Sequence, residues 1–177
     1  MELEIYQIIL LIIGGIAGLY LLVLILDLIF VFSFRKILKK HDKSLSIVLA
    51  VKYENIKKLF EIMKNFDVEI DQEILGNLYS IELSSFDNQA SDVCKEARAN
   101  LSYLREQAMF LATSNPRLNK HNEFIVAKQN VLENDDVYRV KLAMYNADVL
   151  GYNYWIRFLP TRFIFLMLRV KQKELIQ

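Results

Sequence analysis

Few residues in this 177-residue chain have both the type and the spacing that chemistry needs. The two histidines, His41 and His121, stand far apart, and neither has a cysteine or carboxylate beside it at metal-ligand spacing. His41 and Asp42 are neighbours that point about 100° apart on a helix, so they do not form a ligand pair. Cys94 falls on an apolar seam, where a thiol is buried and inert. As the single cysteine it excludes an internal disulfide and fits a reducing compartment. Glu133, Asp135 and Asp136 cluster with Asn134 and have the oxygens a cation would take, but no glycine-bearing loop wraps them, so they read as a solvated helix face. The sequence has no phosphate-cradling glycine loop, no serine elbow and no HExxH. The expectation is a chain without catalytic residues, cofactor or metal site.

Two repeated spacings are more informative. Tyr145-Asn146 and Tyr152-Asn153 are the same dyad seven residues apart, so Asn146 and Asn153 share one helix edge. Buried amides need partners. The ladder either hydrogen-bonds across a bundle and fixes its register, or lines a polar groove that accepts a peptide or partner helix. Gly14 and Gly18 form a GxxxG, which lets two apolar helices approach closely; the readings are homo-oligomerisation through it, or glycine as a common resident of membrane helices.

The elements that position these residues start with an anchor. Ile5 to Leu26 runs 22 residues without a charge, and such a helix rises ~33 Å, the thickness of a hydrocarbon core. It exceeds a signal-peptide core, its start is acidic (Glu2, Glu4), and no small-residue cleavage site precedes Asp27. Residues 1–34 are therefore expected to be a retained transmembrane signal-anchor and 35–177 a cytoplasmic helical bundle. Residues 1–33 hold no Lys or Arg whereas 35–43 hold five, which puts the short N-terminus outside and the bundle in the cytoplasm of a single-pass inner-membrane protein. Asp27 is expected to stay hydrated at the inner headgroup level near Arg35 and Lys36.

Charge says little about partners beyond the lipid. The chain is +1 overall; three acids and no base in residues 1–33 leave 22 bases against 18 acids, or +4, in the rest. That bias is concentrated beside the membrane and suits anionic lipid. No basic stripe lies elsewhere, so no nucleic acid is expected as a partner. About 143 residues beyond the anchor suffice for one domain with a core. Five glycines and two prolines argue against a turn-rich β architecture.

Apolar spacing supplies the helices. Leu45, Leu49, Tyr53, Ile56, Phe60, Met63 and Phe66 form one stripe on a helix continuing from the anchor, with Lys52 among the residues mostly off it. Within the connector at 67–87, Asp71 is expected to cap a short helix carrying Ile74, Leu75, Leu78 and Tyr79, with Gly76 and Ser84-Ser85 weakening the pattern. Ala90, Cys94, Ala97, Leu101, Leu104, Ala108 and Leu111 form a heptad seam from about Asp87 to the turn at Pro116. Asn122 to Phe158 carries Phe124, Ala127, Val131, Asn134, Tyr138, Leu142, Tyr145, Val149, Tyr152 and Ile156, with a stutter near Tyr138. Beyond Pro160, Thr161 to Lys173 is expected to form a final amphipathic helix; its apolar core, Phe163 to Leu168, is too short to span a bilayer and, flanked by Arg162, Arg169 and Lys171, either folds back on the bundle, the favoured reading, or lies in the interface. The fold class is all-α: an N-terminal transmembrane helix continuing into an antiparallel, coiled-coil-like bundle of three to four long helices.

These residues resemble the LemA family of bacterial membrane proteins. The first helix reads Leu38-Lys39-Lys40-His41-Asp42, continuing into Ile47-Val48 and Val51-Lys52 at the family's spacing. The last long helix has Tyr145-Asn146-x-x-Val149-x-x-Tyr152-Asn153, followed by Phe158-Leu159-Pro160, and is preceded by Asn115-Pro116-x-Leu118 and Asn122-x-Phe124. The likeness covers the anchor and roughly residues 38–52 and 97–160. The chain departs from the pattern in reading Lys43-Ser44-Leu45-Ser46 for the family's Leu-Ile-Pro-Asn, in carrying lysines for the usual arginines, and in lacking most of the polar heptads between anchor and His-Asp run. It looks like a divergent, shortened member. The resemblance implies a single-pass inner-membrane protein with a cytoplasmic bundle and names no reaction. The function expected from residues and resemblance together is a non-enzymatic, membrane-anchored scaffold or adaptor, its protein partner unspecified; the alternative is a signalling module passing the state of the anchor to the bundle.

Overall fold

The computed structural model describes residues 2–89, 91–158 and 162–176, so the expectations at Ala90 and Pro160 lie outside the described residues. The fold is all-α, with no strand among the described residues. α1 is helical over Glu2–Asn65, a stretch with no Pro and no Gly after Gly18 to break it. It stops in a Schellman turn: the Val68 N–H donates to Met63 O and the Asp67 N–H to Lys64 O, both at 3.1 Å, with Asp67 left-handed at φ 55°. α2 (Gln72–Tyr79) is opened by Asp71, whose carboxylate accepts the Glu73 N–H at 3.0 Å. α3 (Asp92–Ser114) is opened by the Ser91 hydroxyl, which accepts the Cys94 N–H at 3.1 Å. It therefore begins five residues after Asp87, because Leu83–Phe86 form a 3₁₀ turn ahead of that cap. α4 covers Asn122–Arg157 and α5 Arg162–Met167. α5 ends in a second Schellman turn, with Arg169 at φ 51° and the Val170 N–H bonded to Phe165 O at 3.0 Å, so it stops six residues short of the expected end at Lys173.

The chain forms two compact units, Met1–Leu38 with Ala147–Leu175, and Lys39–Asn146 with Ile176–Gln177. The unit that holds the apolar N-terminal stretch of α1 thus also takes in the end of α4 and all of α5.

In the second unit, the α1 stripe (Leu49, Tyr53, Ile56, Phe60, Met63), the α3 seam (Cys94, Ala97, Leu101, Leu104, Ala108) and Phe124, Ala127 and Val131 of α4 share one core. Leu59 and Ile62 of α1 are also buried, as are Ile74 and Leu78 of α2. The α3 alanines leave room for neighbouring backbones to approach. The seam's last step goes to Ala112, which is fully buried, while Leu111 is only partly so; an α-helix that does not supercoil drifts off a strict seven-residue repeat by ~20° per heptad. Lys52 pairs with Asp135 and Asn55 with Asn130, so α1 and α4 are antiparallel. α1 and α3 are parallel: Ser46 bonds Phe86 O just before α3, while Lys52 shares a carboxylate with Arg105 well inside it. The α2 connector is what returns the chain.

In the first unit, none of the most apolar stretch of α1 is buried. Further along, Asp27, Val31 and Leu38 are buried at helical spacing. Trp155 stacks on Phe30 with ring centroids 4.6 Å apart and planes 4° from parallel. One turn on, the absent side chain of Gly151 makes room for Phe34, whose ring atoms lie 3.0 Å from where a Cβ would stand. α5 turns Phe165 inward.

Candidate functional site

Each unit holds one Tyr-Asn dyad, and in both the asparagine grips the chain's own C-terminal tail. In the second unit, Asn146 Nδ2 donates to Ile176 O at 2.8 Å and Oδ1 accepts the Ile176 N–H at 3.0 Å. In the first, Asn153 Nδ2 donates to Lys173 O at 2.8 Å and Oδ1 accepts the Lys173 N–H at 3.0 Å. A carboxamide carries the same donor and acceptor as a peptide group, so each asparagine satisfies one whole residue of non-helical backbone. The expected ladder across helices is not what the amides build; both clasp the tail.

The tyrosines divide. Tyr152 joins its clasp: its hydroxyl accepts from Arg35 Nε at 3.2 Å and donates to Lys171 O at 3.4 Å. Arg157 adds a 2.6 Å bond to Gln172 Oε1. Tyr145 is buried instead in the bundle core. Burial pushes its phenol pKa up, the Asp42 charge adds to that, and Arg98 opposes it.

Three helices of the bundle are tied by residues whose sequence pattern put them on solvated faces. Asp135 Oδ1 lies 2.7 Å from Lys52 Nζ and Oδ2 lies 2.6 Å from Arg105 Nε, the latter an ion pair whose N–H is not aimed along a hydrogen bond. One carboxylate therefore ties α1, α3 and α4 together. Its side chain is 15% exposed, which corrects the solvated-face reading at Asp135 alone. Asp136 does face solvent, and Glu133 caps a surface bond from Gln129. Asn134 is buried. The stutter explains the split: where the seam steps by two fours, Tyr138 and Leu142 are only half-buried, and the neighbouring Asp135 turns inward. Lys52, expected off the stripe, is buried too, with Nζ 5.7 Å from the centre of the Tyr138 ring.

The remaining candidates are placed as follows. Gly14 and Gly18 have open space around them, and a Cβ at either would touch nothing within 4 Å. Asp27 is 2% exposed, not hydrated as expected, because α4 runs beside this part of α1, as the Phe30–Trp155 stack shows. His121 lies against the Phe66 ring at 4.1 Å. Cys94 is buried; burial raises its pKa, with Arg98 lowering it and Asp42 raising it by smaller amounts. No group of three His, Cys, Asp or Glu gathers among the described residues. An open cleft lined by Lys39, Lys43, Ile47, Ala50, Leu83 and Asp87 marks the start of the second unit.

Comparison with protein-family models, with curated proteins and with solved structures finds no match to this chain.

Proposed function

We propose that this protein is a LemA-like, single-pass anchor protein of a bacterial inner membrane whose helical bundle acts in the cytoplasm as a non-enzymatic scaffold or adaptor. The observation that carries the proposal is the surface of α1: from Ile5 to Leu26 most of its large apolar side chains are exposed, and none of its most apolar window is buried among the described residues. Leaving such side chains in water costs roughly 1.5–3 kcal/mol each, and soluble monomers do not carry apolar patches of that size. A bilayer removes the cost, and the run is long enough to cross one. The five basic residues at 35–43 support the cytoplasmic side for the bundle beyond them.

The adaptor reading is supported by the clasps, which hold peptide backbone through amide groups and would serve any extended segment as well as this tail. A signalling role finds support in one feature: α1 is helical from Glu2 to Asn65. Inserting one or three residues near Lys39 separates the two roles, because a rotated helix disrupts signalling and leaves tethering intact. The proposal as a whole is tested by fractionating cells that express the full chain, with a carbonate wash of the membranes and external protease on spheroplasts. The chain should stay in the membrane pellet and lose no more than its first few residues. Recovery in the supernatant, or digestion of the bundle from outside, overturns it.

A further inference from the structure

The α5 segment presents two faces of one apolar sequence. Phe165 is 2% exposed, whereas Phe163, Leu166 and Met167, at helical spacing i, i+3 and i+4, are 75%, 63% and 84% exposed. Three large apolar side chains facing water on a six-residue helix are out of place in a soluble domain. Cations frame them: Arg157 and Arg162 lie before, Arg169, Lys171 and Lys173 after, with Glu174 the nearest acid.

The level of α5 along α1 is fixed by contacts within the first unit. Trp155 is stacked on Phe30, which lies ~6 Å beyond Leu26, the end of the charge-free run. Arg162 N–H donates to Phe158 O at 2.9 Å, so α5 starts close to the Trp155–Phe158 aromatic pair. After α5 the Arg169 turn reverses the chain, and Tyr152 and Asn153 fasten Lys171 and Lys173 at the level of Arg35, ~14 Å beyond Leu26. The clasp therefore keeps α5 within a few ångströms of where α1 would leave the hydrocarbon, the depth at which interfacial helices sink their apolar faces.

We propose that the Phe163–Leu166–Met167 face of α5 is a second membrane contact, inserted at the headgroup–acyl boundary of an anionic leaflet, with Arg162, Arg169 and Lys171 on the lipid phosphates. It rests on the reading of α1 as a membrane anchor, and it gives the Tyr152–Asn153 clasp the role of positioning α5 on the lipid. The pairing of aromatic and cationic residues around a short apolar stripe matches the chemistry of that boundary.

The test uses the full chain with Cys94→Ala, reconstituted in phosphatidylcholine vesicles with or without phosphatidylglycerol. A polarity-sensitive fluorophore is attached through Leu166→Cys, or separately through Ile12→Cys, and lipids with nitroxides at shallow and deep acyl positions serve as quenchers. The expected result is deep quenching at position 12 and loss of most of the emission to the shallow quencher at position 166, stronger with phosphatidylglycerol. Quenching at 12 with a water-like, unquenched signal at 166 overturns the α5 contact and leaves the anchor standing. An apolar but unquenched signal at 166 overturns it too, because the face is then covered by protein, such as a second copy. No quenching at 12 defeats the anchor reading, and the α5 contact with it. Met167→Cys, at the most exposed of the three positions, repeats the measurement without touching a packed side chain.

Discussion

Replacing Asn153 by alanine separates a tail clasp from a lock on helix register. The substitution removes two hydrogen bonds, one donated to Lys173 O and one accepted from its N–H. A net worth of ~0.5–1.5 kcal/mol per bond gives ~1–3 kcal/mol for the pair, and partial exposure of the site favours the lower half. At tenfold per ~1.4 kcal/mol, the Lys173 amide should exchange its hydrogen about 5 to 30 times faster in Asn153→Ala than in the unaltered chain. Asn146→Ala should do the same to the Ile176 amide, whose bond it accepts. Hydrogen exchange read by mass spectrometry on the C-terminal peptide measures this directly, with a peptide from α3 as the internal control. Because neither amide bonds another helix, α3 exchange should not move, and the melting temperature should fall only slightly. Equal acceleration in α3 and in the tail would refute the clasp and restore the cross-helix ladder. Unchanged protection at Lys173 would refute the hydrogen bonds themselves.

Asp135→Asn should cost far more, because it leaves Lys52 and Arg105 without their shared anion: ~2–4 kcal/mol, somewhat below the cost of breaking a fully buried pair, measured as a drop in the urea midpoint. Replacing Lys52 and Asp135 together by Met and Leu should recover part of that loss, since the more buried cation goes with its anion and only Arg105, 35% exposed, is left without it. At Gly151, alanine gains ~1 kcal/mol of helix propensity and presses Phe34 by a few tenths of an ångström, so it should be near neutral. Gly151→Leu should displace the ring and lower the melting temperature of the detergent-solubilised chain. Alkaline titration should destabilise the bundle through Cys94, whose folded pKa lies above the ordinary 9.0. The unfolded thiol ionises first, so stability is whole below pH 9 and declines as pH rises toward the folded value. Cys94→Ala should flatten the fall in urea midpoint over that window, and an identical slope would contradict it.

Local pattern was enough for the helices. The α1 stripe, the α3 seam, the Asp71 cap and the Asn122 start were all readable because 3.6-residue spacing and capping chemistry act within a few residues. Asp135 was not readable. A carboxylate in a run of acids is solvated unless cations arrive from other helices, and Lys52 and Arg105 sit 83 and 30 residues away in sequence. At the tail the pattern misled: the helix expected to run to Lys173 ends at Met167, Lys171-Gln172-Lys173-Glu174 has no apolar period to carry it on, and its order comes from backbone groups that every residue has. The dyad spacing did announce itself, but a seven-residue repeat of asparagine fits a facing helix and an extended peptide alike. Only the partner decides.

That choice of partner has a consequence for how the chain divides its polar work. An ion triad fixes helices because a charge left alone in the core is costly, so a slipped register is penalised severely. A carboxamide clasp on a half-buried tail is worth little more than water offers, so it opens and closes at modest cost. The residues sort accordingly: Asp135 sits where three helices meet and must not slip, whereas Asn146 and Asn153 hold a tail that lacks regular structure. With weak clasps, α5 can be released without unfolding the bundle, and with Arg169 in a left-handed turn the release begins beside an already strained residue. Arg169→Gly, which relieves that strain, should therefore slow tail exchange, opposite in sign to Asn153→Ala, while leaving the Asp135 triad untouched.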